Sequence, residues 1–272
     1  MTILDTIVER TRERIREEKQ HCPLTEIRAW AEAADGSGGK EMPAFERALR
    51  REGLSFICEV KKASPSKGLI ATDFPFAKIA EDYESAGASA ISCLTEPYWF
   101  MGSDKYLEEI ARKVSIPVLR KDFTCDEYMI YQAKAMGASA VLLICSVLDD
   151  GELSAYHQLA AELGLSALVE AHTAEEIERA QRAGAVIIGV NNRNLKDFTV
   201  DIGRSVELRR LVDKDTVFVS ESGIRGPEDM RALYENGTDA VLIGEMLMRA
   251  KDRSEALRSL REAVAEGGSV PW

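Results

Sequence analysis

The chain has 272 residues, with 35 Lys and Arg against 46 Asp and Glu, for a formal net charge of −11. So acidic a balance argues against a general nucleic-acid binder, although local charge can still hold a small anionic ligand. No run approaches the roughly 18 apolar residues that cross a bilayer, and the densely charged N-terminus lacks the apolar core of a secretory signal.

The five cysteines (Cys22, Cys58, Cys93, Cys125, Cys145) form no CxxC pair. They read as free thiols of a reducing compartment, so the expected location is cytoplasmic. His21, His157 and His172 are far apart and share no ligand spacing, so no metal is expected.

The first element reads as a helix. Ile3, Leu4, Ile7, Val8 and Ile15 recur at helical spacing, and Thr2 with Asp5 forms a candidate capping box. Its apolar stripe is expected to cover one end of the following domain. Pro23 separates two helical stretches, and DGSGGKEMP (35–43) is the clearest loop.

Eight apolar runs follow: 54–60, 89–94, 117–121, 139–145, 166–170, 186–190, 216–220 and 239–244. Their starts lie about 26 residues apart on average, the pitch of a βα unit. The stretches between them are amphipathic, and continuous apolar runs suit strands buried on both faces. The second, fourth, sixth and eighth runs follow AGASA, MGASA, RAGAV and NGTDA. Each Gly sits where a helix C-terminus favours a left-handed residue, and the two-unit period suits a closed barrel. An open doubly wound sheet usually has fewer strands and often a GxGxxG turn. The expected fold is therefore α/β, a (β/α)8 TIM barrel with an extra N-terminal helix. Residues 1–50 would form a helical extension packed on a single domain spanning 1–272.

Barrel chemistry sits at the C-terminal strand ends. Those ends hold Glu59 and Lys61, Lys121 and Asp122, Glu170, Asn191, Asn192 and Arg193, Ser220 and Glu221, and Gly244 and Glu245. One charge after a strand usually just marks where solvent begins. Glu59 and Lys61, however, are two apart and point the same way. Two lysines, three carboxylates and an amide converging on one mouth are harder to dismiss.

Ser222-Gly223 after run seven and Gly244-Glu245 after run eight sit where barrels often bind phosphate. The basic, Gly-containing loop from Lys61 through Ser64 to Gly68 adds to this. Ordinary helix capping is the plainer account of the Ser and Gly residues. Tyr98, Trp99, Phe100 and Phe123 occupy the loops after runs two and three. They could supply an apolar wall or simply pack on their own helices.

Five segments then become recognisable: Glu59-Val-Lys61-Lys-Ala-Ser64-Pro-Ser-Lys-Gly68, Leu119-Arg-Lys121-Asp-Phe123, Leu168-Val-Glu170-Ala-His172, Gly189-Val-Asn191-Asn-Arg193-Asn-Leu195 and Ser220-Glu221-Ser222-Gly223-Ile224. In this order they resemble the indole-3-glycerol-phosphate synthase family over essentially the whole chain. The resemblance implies a cofactor-free, metal-free enzyme of tryptophan biosynthesis. It closes the ring of 1-(2-carboxyphenylamino)-1-deoxyribulose 5-phosphate with loss of CO2 and water.

The resemblance also implies roles. Lys121 is the general acid, Lys61 with Glu59 assists dehydration, and Glu170 stabilises developing positive charge and moves protons. Asn191 and Glu221 orient the substrate, with Arg193 supporting one of them. Ser64, Ser222, Gly223, Gly244 and the backbone of Glu245 hold phosphate, while Phe100 and Phe123 line the anthranilate pocket. The implied partner is this phosphorylated substrate, with no nucleic acid or membrane. The chain is expected to be a monomer that could associate with other enzymes of the pathway.

The loop from Glu96 to Ser103 departs from the family's usual charged pattern, and Ala63 stands where some members carry Lys. Cys125 is placed near the mouth and reads as incidental, although a thiol there could confer sensitivity to thiol reagents. Three rival readings are a phosphoribosylanthranilate isomerase-like barrel, a Schiff-base aldolase using a barrel lysine, and a non-catalytic barrel that binds a phosphorylated metabolite.

Overall fold

A computed structural model describes residues 2–34, 41–194 and 197–265. Positions 35–40 of the expected loop, and Leu195 of the sixth-strand motif, lie outside the described residues. Each of the eight apolar runs is a strand: β1 (Ser55–Val60), β2 (Ala90–Leu94), β3 (Val118–Lys121), β4 (Ala140–Ile144), β5 (Ser166–Ala171), β6 (Ile187–Asn191), β7 (Val217–Glu221) and β8 (Ala240–Ile243). Each pairs in parallel with its sequence neighbours, and β1 also pairs with β8, so the sheet closes into a barrel. The sequence did not signal the short hairpin of Ala63–Ser64 with Gly68–Leu69 that folds the loop after β1.

Alternation along the strands sorts the hydrophobic residues into two populations. Ile57, Leu119, Leu142, Leu168, Val219 and Leu242 fill the interior. Their neighbours Phe56, Cys58, Val141, Val169, Phe218 and Val241 face the surrounding helices. Burying one such aliphatic side chain contributes roughly 1.5–3 kcal/mol. The helices reach the strands through the expected glycines: Gly87, Gly137, Gly184 and Gly237 have φ of 93°, 84°, 84° and 74°. Gly164, at φ 69°, does the same before β5, so this device is not confined to alternate units.

Among the described residues, three helices precede the barrel: α1 (Ile3–His21), α2 (Leu24–Ala33) and α3 (Ala44–Leu49). The Thr2–Asp5 capping box forms as expected. The stripe Leu4, Val8 and Ile15 packs with Ile27 and Ala31 of α2 against Tyr128 and Met129. These last two lie on the helix that follows β3 (Glu127–Ala135). Helix α3 lies at the opposite end, where Phe45 and Leu49 join the interior cluster and Glu46 N–H donates to Ser166 Oγ. The extension therefore covers both ends of the barrel, whereas the stripe alone implied one.

Arg14 of α1 reaches Asp122 at 2.9 Å, with both side chains buried. Asp122 also accepts from Thr95 Oγ1 at 2.7 Å, and its carboxyl stays ionised because Arg14 and Arg120 outweigh the cost of burial. Arg120 points out of the barrel and is bound by Asp104 and the Met129 carbonyl. Asp122, at the strand end beside Lys121, thus anchors α1. Cys125 belongs to the same buried layer rather than to the mouth, and burial pushes its thiol up to about 11. A buried, protonated thiol fits the incidental reading and gives thiol sensitivity no basis.

Candidate active site

The strand register brings the charged residues to one level. Leu94 pairs with Lys121, Ile144 with Glu170, and Asn191 with Glu221. Glu59, Lys61, Lys121, Glu170, Asn191 and Glu221 all follow the interior parity of their strands, and all line one cavity of about 610 Å³ at the C-terminal mouth. That volume suits a small-molecule site.

Lys121 Nζ lies 3.5 Å from Glu170 Oε2 and 3.7 Å from Glu221 Oε2. Burial works against its ammonium, but Glu170, Glu221 and Glu59 outweigh it and raise the pKa above the ordinary lysine value. Lys61 is paired with Glu59.

The two carboxyls beside Lys121 differ. Burial pulls Glu170 up, but Lys121 and the bonds from His172 and Asn191 prevail and hold it down at about 2. Glu221 is 1% exposed, and neither of its oxygens accepts a hydrogen bond from a described residue. Burial and repulsion from Glu170 push it up to about 8, against the pull of Lys121. Glu221 is therefore the protonated member of the pair at neutral pH, an arrangement that suits opposite proton roles.

Two interior glycines make room for these carboxylates. A Cβ on Gly189 would collide with the Glu221 carboxylate, and one on Gly244 with that of Glu59. Neither needs a left-handed backbone; each is required because a charged side chain approaches closely. Asn191 Oδ1 accepts from the Arg193 N–H at 3.0 Å. The Arg193 guanidinium points elsewhere, 3.7 Å from Glu245. It therefore supports neither Asn191 nor Glu221, and only its backbone does so for Asn191. Asn192 faces outward, where its amide ties Ser220, Ser205 and the Ser222 carbonyl together.

At the opposite side of the cavity the Glu245 carboxylate gathers Arg249, Lys67 and Arg193 at 3.3, 3.5 and 3.7 Å. These four residues, with Ser64, Ser222, Gly223 and Gly244, border the cavity. Ser222 and Gly223 have φ of 66° and 92°. A left-handed serine is an uncommon conformation that recurs at functional turns.

Phe100 and Phe123 lie 5.9 Å apart between ring centroids and line the cavity. Tyr98 and Trp99 do not border it; Tyr98 is 44% exposed under the Arg10 guanidinium. The unusual loop is nonetheless well held, because the buried Glu96 carboxylate accepts from the N–H groups of Tyr98, Trp99 and Phe100 at 2.8–2.9 Å. Ile3, Leu4 and Ile7 of α1 complete the apolar side. Their stripe was legible in the sequence, but its position over this mouth was not. His172 lies 3.1 Å from Glu170; its spacing of two from Glu170 is the sequence signal that puts both on one face of the strand end. Among the described residues, no group of three or more His, Cys, Asp or Glu is placed to hold a metal ion.

A family model described as indole-3-glycerol phosphate synthase matches residues 4–260. The chain belongs to the indole-3-glycerol phosphate synthase family. Curated relatives of that name include one from Ruminiclostridium cellulolyticum, 52% identical over 95% of this chain and 98% of its own length. Another, from Endomicrobium trichonymphae, is 53% identical over 96% of this chain and 100% of its own. Among solved structures, thiamine phosphate pyrophosphorylase from Pyrococcus furiosus aligns with a TM-score of 0.61 at 17% identity, over 81% of this chain and 100% of that one. A 3-hexulose-6-phosphate synthase aligns at 0.61 and 14%, over 78% and 100%. At those identities the likeness is one of fold alone.

Proposed function

We propose that this chain converts 1-(2-carboxyphenylamino)-1-deoxyribulose 5-phosphate to indole-3-glycerol phosphate. The observation that carries the reading is the Lys121 ammonium held 3.5 and 3.7 Å from the buried carboxyls of Glu170 and Glu221 in a cavity walled by Phe100 and Phe123.

The reaction needs such a set. A weak aryl nucleophile attacks a ketone, so a cationic acid must meet the oxygen as charge develops there. Lys121 has that charge and position. The carboxylate then leaves as CO2, and its electron pair restores the ring. Loss of the new hydroxyl as water follows, with Lys61 donating and Glu59 as its partner. Glu170 stabilises the positive charge that forms on the anilino nitrogen, and as the hydroxyl leaves it accepts a proton from the methylene carbon next to that nitrogen, so the indole keeps its N–H. Asn191 and protonated Glu221 orient the hydroxyl and amine groups.

The substrate's two ends need different grips, which hold a flexible chain in a reactive geometry. The anthranilate ring lies against Phe100 and Phe123, with Ile7 and Leu4 above. The phosphate lies by Ser64, Ser222, Gly223, Gly244 and the Glu245 backbone, with Lys67, Arg193 and Arg249 within reach. On this reading residues 1–272 act as one domain, and the protein is a cytoplasmic monomer whose partner is this substrate.

The test is turnover of that substrate with EDTA present, followed by indole fluorescence, with Lys121→Met as the control. Indole formation lost in the variant supports the reading. Indole formation that survives moves the acid role to Lys61, and no indole from the wild type rejects the function.

A further inference from the structure

Glu170 is gripped from both sides. Its Oε2 faces Lys121 at 3.5 Å, and its Oε1 lies 3.1 Å from His172 Nε2. His172 is itself fixed. Its backbone N–H donates to the Glu176 carboxylate at 2.6 Å, from the helix after β5 (Ala174–Arg182), and its side chain is 13% exposed. The titratable groups facing the ring are Glu170 on its own strand, Glu176 on that helix and Glu221 on β7, with Lys121 beyond Glu170.

The roles proposed above leave Glu170 with a problem. It must be ionised beside a second carboxyl, and Lys121 is nearly equidistant from both. Lys121 alone does not choose between them. His172 and Asn191 both add a donor to Glu170, but only His172 can be ionised, and a hydrogen bond from an ionised donor is about twice as strong as a neutral one. We propose that His172 is the positioning residue that makes this choice: as an imidazolium it donates Nε2–H to Glu170 Oε1, keeps that carboxylate ionised, and leaves Oε2 turned toward Lys121. Glu221 is thereby left to carry the proton. The proposal rests on the roles assigned to Lys121 and Glu170, and adds what sets them apart from Glu221.

Burial disfavours the imidazolium, but the hydrogen bond and charge of Glu170, with the charge of Glu176, outweigh it and move His172 above its ordinary value. With three histidines in the chain, the ring signals can be resolved and assigned by loss of one set in His172→Gln. Titration of the substrate-free protein should place the His172 midpoint above that of an unperturbed histidine. In Glu170→Gln it should fall toward the ordinary value. This readout does not depend on turnover, so its failure is separate from failure of the proposed reaction.

Kinetics supply the second arm. His172→Ala should lower kcat about tenfold with KM within about twofold, the signature of lost transition-state positioning. His172→Gln, which can still donate to Oε1, should recover part of kcat. An ordinary midpoint insensitive to Glu170→Gln would overturn the proposal. So would kcat within about twofold of wild type in His172→Ala, or a loss confined to KM.

Discussion

The two ends of the cavity carry similar charges and mean different things. At the floor, Lys121 stands between Glu170 and Glu221, all buried or nearly so, and the carboxyl pKa values split to about 2 and about 8. At the rim, Lys67, Arg193 and Arg249 surround Glu245 at similar distances, but the Lys67 and Arg249 side chains are half-exposed. Water screens the rim and not the floor. Charges at the floor are therefore committed to one another and to chemistry. Those at the rim are loosely held, and in the proposed reaction they would pass from Glu245 to the substrate's phosphate.

The sharpest way to break this contrast is at the floor. Lys121→Met should reduce kcat by at least about 100-fold, in line with removal of a general acid, as read by indole fluorescence. Next is the anchor behind it. Arg14→Leu leaves Asp122 without its closest cation, and should cost about 3 kcal/mol in urea unfolding, the typical penalty for breaking a buried pair.

Glu221 tests the split itself. Its carboxyl is protonated when folded and ionises only through about 8, against an ordinary value of 4.5. Between those values the folded state holds a proton that the unfolded state lacks, so this group's stabilising contribution declines as pH rises through that window. Glu221→Gln should flatten that decline in unfolding experiments, and should remove a loss of kcat/KM near pH 8. Glu170 has the opposite sign. Its stabilisation is present above pH 4.5 and is lost as pH falls toward 2. The smallest effect belongs to the rim. Glu245→Gln removes the internal competitor for the three cations, and should lower KM and the inhibition constant for inorganic phosphate about twofold to fivefold, an effect on the scale of exposed ion pairs.

The sequence made the barrel legible because every strand is buried on both faces and reads as an unbroken apolar run. It made the floor legible because interior parity is a spacing of two, and Glu59 with Lys61 shows it directly. What escaped depends on neighbours remote in the chain. Arg14 meets Asp122 across 108 residues, so neither looked more than a surface charge. Arg193 lies two residues from Asn191, one of its two candidate partners, yet its long side chain reaches Glu245 past another strand end. Nothing in local pattern separates Phe100, which borders the cavity, from Tyr98 and Trp99 beside it, because the chain direction in that loop is set by the inward-turned Glu96.

Gly189 and Gly244 have a consequence for how such a site can change over evolutionary time. Each is an empty volume that a carboxylate occupies, and a glycine codon is one base away from an alanine codon. A lineage that accepted alanine at either place would displace Glu221 or Glu59 in one step, and at Gly189 it would also press on the core residue Leu168. The path back to a working cluster would then require the same position to be emptied again before any change at the acid itself could be selected. The spacing of the charges is in this way guarded by two absences rather than by further contacts.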